Sequence, residues 1–250
     1  MIDDGQGKIV AIGGGEIRLH ETFGIDEEIV RLTGKPNPSA LFIPTAGNDS
    51  EEYWHAFDDM YGRRLGCRTD VLYLLHQDPG KQLIEDKILS ADLVYVGGGN
   101  TLRMMRRWRR LGVDRVLRKA HENGAVLSGL SAGAVCWFSH GHSDSQRFYD
   151  PDNWDYIRVT GIGLINALAV CHYTSEDRAD SFNDMVAKHR QTGVALDNNS
   201  ALIVRGDEYR VMTCADDASA YRVFVRGKEV VREEIEPTSG FRPLVSLLSA

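Results

Sequence analysis

The chemistry this chain can do is concentrated in Gly129-Leu130-Ser131-Ala132-Gly133, a G-x-S-x-G stretch. Residues 124–128, just before it, are short and apolar enough for a buried strand. Residues 132–138, just after it, are suited to open a helix. Strand, sharp turn and helix form the context in which such a serine becomes a nucleophile. A turn this tight forces strained backbone angles, and small residues at Gly129, Ala132 and Gly133 remove the bulk that would clash. The Ser131 oxygen is then expected to project past the carboxyl end of its strand, beside the first amides of the helix.

A serine hydroxyl is a poor nucleophile until a base takes its proton, and that base is usually a histidine oriented by a third group. Of the eight histidines, seven fall in expected loops or on polar helix faces: His20, His55, His76, His121, His140, His142 and His189. His172 alone follows an expected strand, residues 167–171, whose end belongs on the same rim as Ser131. Three residues are candidates for the orienting group. Asp197 and Asn198 follow the next strand, and Asp144 lies in the loop after the expected elbow helix. Stabilising a tetrahedral intermediate needs two N–H groups aimed at one point. Ala132, after the serine, supplies one. The Gly97-Gly98-Gly99 turn is suited to supply the other, because glycine lets the backbone approach closely.

These residues need a scaffold, and the apolar runs outline one. Strands are expected at 8–12, 41–44, 71–75, 93–96 and 124–128. Helices are expected from a cap at Asp49 or Ser50 to about Leu65, from Pro79 to Ile88, from Asn100-Thr101 through Leu111, and over 113–122. Such alternation implies a mostly parallel sheet covered by helices on both faces, with ligands at the carboxyl ends of the strands. The turns Gly13-Gly14-Gly15, Ala46-Gly47, Gly97-Gly98-Gly99 and Gly129–Gly133 then share one rim. Tyr53, Trp54, Phe57 and Met60 recur at helical spacing and read as core. The run Arg106, Arg107, Arg109 and Arg110 reads as a solvated helix face. Residues 140–154 read as a polar loop, and a helix is expected over 175–191. Short strands at 201–205, 209–212, 221–226 and 229–232, with a hairpin turn at Gly227-Lys228, suggest antiparallel C-terminal strands. No linker or repeat is evident, so residues 1–250 read as a single domain.

Composition narrows the class. The chain has 250 residues, 42% hydrophobic and 26% charged, with net charge −7. That charge argues against a nucleic-acid partner. No apolar run approaches the roughly 18 residues of a spanning helix, and the acidic N-terminus lacks a signal sequence, so no membrane partner and a cytoplasmic location are expected. Cys67, Cys136, Cys171 and Cys214 are scattered without metal-ligand spacing, so free thiols and no metal are expected.

Taken together, Val96-Gly97-Gly98-Gly99-Asn100-Thr101, Gly129-Leu130-Ser131-Ala132-Gly133-Ala134, Gly163-Leu164-Ile165-Asn166 and Cys171-His172-Tyr173-Thr174 resemble the peptidase E family of serine peptidases. That family includes aspartyl dipeptidases and, more distantly, cyanophycinases. The resemblance implies a fold akin to the class I glutamine amidotransferases (flavodoxin-like), no cofactor, and a small peptide substrate with N-terminal aspartate. By motif, Ser131 corresponds to the nucleophile, His172 to the base, and Gly98 or Gly99 with Ala132 to the oxyanion hole. Asn100 corresponds to a substrate-binding position, and Asp144 falls near an aspartate important in the family. Arg178 stands where the resemblance places the arginine that grips the aspartyl side chain. A homodimer is compatible with the resemblance. One departure concerns the triad acid. Where the aspartyl dipeptidases carry a glutamate in a Pro-Glu-Gly-like turn, this chain has Asp197-Asn198-Asn199. The rival expectations are a cyanophycinase-like β-aspartyl hydrolase and a non-catalytic amidotransferase-like binding domain.

Overall fold

The computed structural model of the chain describes residues 7–249. Its first half alternates strand and helix: β1 (Lys8–Ile12), α1 (Phe23–Leu32), β2 (Ser39–Ile43), α2 (Glu51–Phe57), β3 (Arg68–Val71), α3 (Lys81–Leu89), β4 (Leu93–Val96), α4 (Thr101–Leu111), α5 (Val113–Glu122) and β5 (Val126–Leu130). The five strands pair in parallel in the order β1-β5-β4-β2-β3. Alternate residues feed opposite faces, as strand geometry requires. Ile9 and Ala11 of β1 face one core, while Val10 and Ile12 face the other. On that second face Phe57 and Tyr61 stack beside Phe42. The aromatic spacing read as core is therefore core for Phe57 and Met60, both fully buried.

The second half departs from a single sheet. It runs α6 (Ala132–Val135), β6 (Phe138–Ser143), β7 (Ile157–Thr160), β8 (Ile165–Val170), α7 (Ala179–His189), β9 (Gly193–Leu196), β10 (Ser200–Arg205), β11 (Glu208–Thr213), β12 (Ala220–Arg226), β13 (Glu229–Glu234), β14 (Arg242–Pro243) and α8 (Leu244–Leu248). Strands β10, β11 and β14 extend the first sheet antiparallel beside β1. The others form a second sheet, ordered β13-β12-β9-β8-β6-β7. Along β8, Ile165, Ala167 and Ala169 enter the large core shared with the first sheet. Leu168 and Val170 pack outward under Phe182 and Val186 of α7. The hairpin at Gly227-Lys228 joins β12 to β13 as expected.

Several local expectations are corrected. The polar loop expected at 140–154 is partly strand β6, because Gly141 and the polar residues around it pair with β7 and β8 on either side. The third strand is Arg68–Val71 rather than 71–75. Leu72 and Leu74 are buried beyond its end, and the Asp49 carboxylate accepts the amides of Leu74, Leu75 and His76. Ser50, not Asp49, caps α2, and a wider helical turn carries the chain over residues 58–64. The helix after Ser131 is only four residues long, and the helix expected over 175–191 is Ala179–His189. Among the described residues no helix is long and apolar enough to cross a membrane.

One buried group makes stability depend on pH. Asp26 is fully buried in α1, accepting from Tyr61 Oη (2.7 Å) and Thr22 Oγ1 (2.9 Å). Burial outweighs those bonds and pushes its carboxyl up to about 7. A carboxyl raised in the folded state favours folding below its ordinary value of 3.8. That contribution fades as pH climbs toward 7. Asp26→Asn copies the neutral form. Its melting temperature is expected to exceed wild type by a margin that widens from pH 4 to pH 7 and is flat above. At pH 8 the gain is on the order of 2–4 kcal/mol. Melting curves of both proteins across that range check this.

Candidate active site

Strand β5 lies between β1 and β4 at the centre of the first sheet, and the chain turns sharply where it ends. Ser131 sits there at φ 54°, ψ −113°, a backbone region costly for any residue with a Cβ. Its N–H donates to Ile12 O (3.0 Å), and its carbonyl accepts from Ala134 and Val135. The flanking glycines are dictated by contact. A Cβ at Gly129 would lie 2.5 Å from Gly133 O, and one at Gly133 would lie 2.1 Å from Val96 O. The Ala132 amide opens α6, where a helix provides no internal acceptor.

His172 follows β8, so it comes from the second sheet and not, as expected, from the rim of the first. A backbone latch brings it across. Its N–H donates to Gly13 O (3.1 Å), and Asn199 N–H donates to Gly14 O (2.9 Å). A Cβ at Gly14 would fall 2.0 Å from Asn198 Oδ1 and 2.5 Å from His172 Nδ1. The first glycine turn thus makes room for the imidazole and its partner. His172 and Asn199, like Ser131, adopt positive φ.

The side chains form one chain of hydrogen bonds. His172 Nε2 lies 2.8 Å from Ser131 Oγ, and His172 Nδ1 lies 2.6 Å from Asn198 Oδ1. The amide oxygen of Asn198 accepts, so Nδ1 carries the proton and Nε2 presents its lone pair to the serine. This arrangement can deprotonate the hydroxyl in a single step. All three residues are partly exposed, which leaves the site open to a ligand.

The remaining candidates divide. Asp197 is buried, with Oδ1 accepting from Thr174 N (3.0 Å) and Thr174 Oγ1 (2.8 Å) and Oδ2 accepting from Ser219 N (3.2 Å). Its carboxylate anchors the segment after His172 and does not contact the imidazole, so Asn198 is the residue brought to His172. Asp144 does not touch the imidazole either. It pairs with Arg178 at 3.5 Å. Arg178 is buried rather than on the surface. Its guanidinium also bonds Glu176 and lies over the Tyr156 ring. Asn100 is fully buried. It caps α4 through Oδ1 to Arg103 N (2.9 Å) and ties down Ser145 O through Nδ2 (3.3 Å), so its side chain builds the site wall instead of facing a ligand.

Gly98 stands beside the serine, and Gly99 follows it against Ala46. A Cβ at Gly98 would be 3.4 Å from Ser131 Cβ. The Gly98 N–H donates to Tyr53 Oη (3.2 Å). Sequence reasoning placed Tyr53 in the core, and only the direction of its hydroxyl distinguishes it from its neighbours. Sequence reasoning also missed His142, a fully buried strand residue bonded to Ser181 Oγ (2.9 Å). Burial and the nearby Arg178 push its imidazole down to about 3. Burial likewise pushes the Cys171 thiol up to about 12 and holds the Cys136 thiol well above its ordinary value, which leaves neither as a rival nucleophile. Among the described residues no group of three or more His, Cys, Asp or Glu side chains is arranged to hold a metal ion.

The model of a family described as Peptidase family S51 matches residues 9–212. The uncharacterized peptidase YgaJ of Bacillus subtilis (strain 168) is 31% identical over 231 residues, covering 89% of this chain and 94% of that protein. The uncharacterized peptidase PM1590 of Pasteurella multocida is 27% identical over 177 residues, covering 68% and 83%. The crystal structure of a peptidase from an acI-B1 Actinobacterium superposes with a TM-score of 0.73. Its identity is 20%, and the match covers 95% of this chain and 97% of that one.

Proposed function

The chain belongs to peptidase family S51 and is a peptidase, and from that premise we propose that it is a serine-type dipeptidase acting through an acyl-enzyme on Ser131. The carrying observation is the continuous Ser131–His172–Asn198 hydrogen-bond chain. Ser131 Oγ attacks the peptide carbonyl as His172 Nε2 takes its proton. Ala132 N–H and the glycine turn hold the oxyanion. The imidazolium then protonates the leaving amine. A water, deprotonated by the same imidazole, releases the acid and regenerates the serine. Asn198 keeps the imidazole in the productive tautomer.

The finer reading is a preference for N-terminal aspartate. It requires a substrate carboxylate to replace Glu176 on the Arg178 guanidinium, a charge-assisted exchange that arginine geometry permits. Two measurements test the reading together. A fluorophosphonate probe is expected to label Ser131, and aspartyl, alanyl and arginyl p-nitroanilides are compared as substrates. Labelling with turnover supports the peptidase mechanism, and an aspartyl-over-alanyl ratio of about ten or more in kcat/KM supports aspartate selectivity. Hydrolysis of β-aspartyl-arginine alone would instead favour the cyanophycinase-like reading. An unlabelled Ser131 would favour a binding domain, although the serine–imidazole contact weighs against it.

A further inference from the structure

Three features of the glycine turn after β4 converge on one residue. The first is orientation. Gly98 O faces Gly47, where a Cβ would approach it to 3.2 Å. In a planar trans peptide the N–H of the following residue points the opposite way. The Gly99 amide is therefore directed away from Gly47, while the Gly98 Cα flank faces Ser131. The second is freedom. The turn is anchored at its ends, where Gly97 N–H donates to Ile43 O (3.2 Å) and Asn100 N–H to Ala46 O (2.9 Å), but the peptide planes on either side of Gly98 lie between glycines, with Gly99 at φ +133°, and rotate at little intrinsic cost. The third is restraint. The Gly98 N–H is held by Tyr53 Oη, and Tyr53 is itself fixed. Its amide is capped by Ser50 Oγ (3.2 Å), and its ring lies edge-on to Phe42 with centroids 5.0 Å apart. The same ring leaves no space for a Cβ at Gly97, which would lie 2.8 Å from Tyr53 Cε1.

We propose that Tyr53 is a positioning residue for the oxyanion hole: its hydroxyl pins the Gly98 amide, so that the Gly99 N–H, not that of Gly98, is the donor presented with Ala132 N–H to the developing oxyanion. The Gly98 amide is spent on the tyrosine. Burial pushes the phenol up to about 12, so the hydroxyl stays neutral across the working range. Tyr53 reaches the reaction through the turn and not through the substrate. Without the hydroxyl the packing of the ring is retained, but the peptide plane is free to rotate out of register.

The inference rests on the Ser131 mechanism, and Tyr53→Phe tests it. Loss of one oxyanion donor costs up to about 10²–10³ in rate, so partial loss of its alignment is expected to lower kcat by about 10–100-fold. KM should stay within about threefold and the melting temperature within about 2 °C. Affinity for an aminoalkyl boronic acid, whose serine adduct is tetrahedral, should weaken in parallel with kcat. Affinity for the free amino-acid product should not. A kcat within threefold of wild type would overturn the proposal, as would a loss confined to KM or one explained by a lower melting temperature. Fluorophosphonate labelling separates the two readings. If wild type is unlabelled, the nucleophile assignment has failed. If wild type is labelled and Tyr53→Phe turns over normally, only the positioning role has failed.

Discussion

Ser131→Ala is expected to abolish hydrolysis of aminoacyl p-nitroanilides, lowering kcat by about 10⁴–10⁶. In a serine–histidine pair the two side chains act as a unit, so removing the nucleophile alone costs nearly as much as removing both. The residue that remains has no atom to form the acyl intermediate. What survives is the binding contribution of the amides, worth roughly 10³–10⁴ over water. The variant should fold normally. The serine hydroxyl bonds His172, and alanine keeps the same backbone atoms, including the amide bonded to Ile12 O. Turnover retained at a hundredth of wild type or more, with fluorophosphonate still incorporated, would move the nucleophile elsewhere in the chain. The buried thiols of Cys136 and Cys171 are poor places to look for it.

Replacement of Asn198 gives the second large effect, and its size depends on the substituent. Asn198→Ala removes the acceptor for Nδ1–H, so the imidazole is free to carry its proton on Nε2, where it blocks the serine. A tautomer error of this kind costs up to about 10⁴ in a triad that relies on a carboxylate. Asparagine holds the tautomer without balancing charge, so the expected fall in kcat is smaller, about 10²–10³. Asn198→Asp keeps an acceptor and adds a negative charge. Its kcat is expected within about tenfold of wild type. The acid limb of its pH–rate profile should move to higher pH, because a carboxylate beside the ring favours the imidazolium. If alanine at 198 left kcat within twofold, the third position of the hydrogen-bond chain would carry no weight. Asp197 would not replace it, since its oxygens are already committed to Thr174 and Ser219.

The pairing of Ser131 with His172 is legible in the sequence because the signals of both residues are local. A serine between two glycines at a strand end leaves few backbone solutions, and the close contacts at Gly129 and Gly133 account for both glycines. His172 was found by its place at a strand end, although the strand belongs to another sheet. Which sheet a strand joins depends on long-range pairing that an apolar run does not encode. The third member was left open for the same reason. Asp197 and Asn198 are adjacent, so their side chains diverge, and composition does not say which one faces the imidazole. Strand β6 does not read as a strand because polar residues dominate it, and two of them, His140 and His142, find partners distant in sequence, Gln191 and Ser181. Tyr53 looked like any other aromatic on an apolar helix face. The direction of one hydroxyl is a property of the packed molecule.

The two sheets meet where Ser131 and His172 touch. Ser131 rides on one slab, His172 on the other, and Asn198 sits on the short tether from β9 to β10 where the polypeptide passes between them. A proton can be handed over only while both slabs are in register. On the proposed mechanism, catalysis is therefore a gauge of their mutual alignment. A slip of about an ångström between slabs, too small to disturb either hydrogen-bonded ladder, is enough to silence the enzyme while both halves keep their shape.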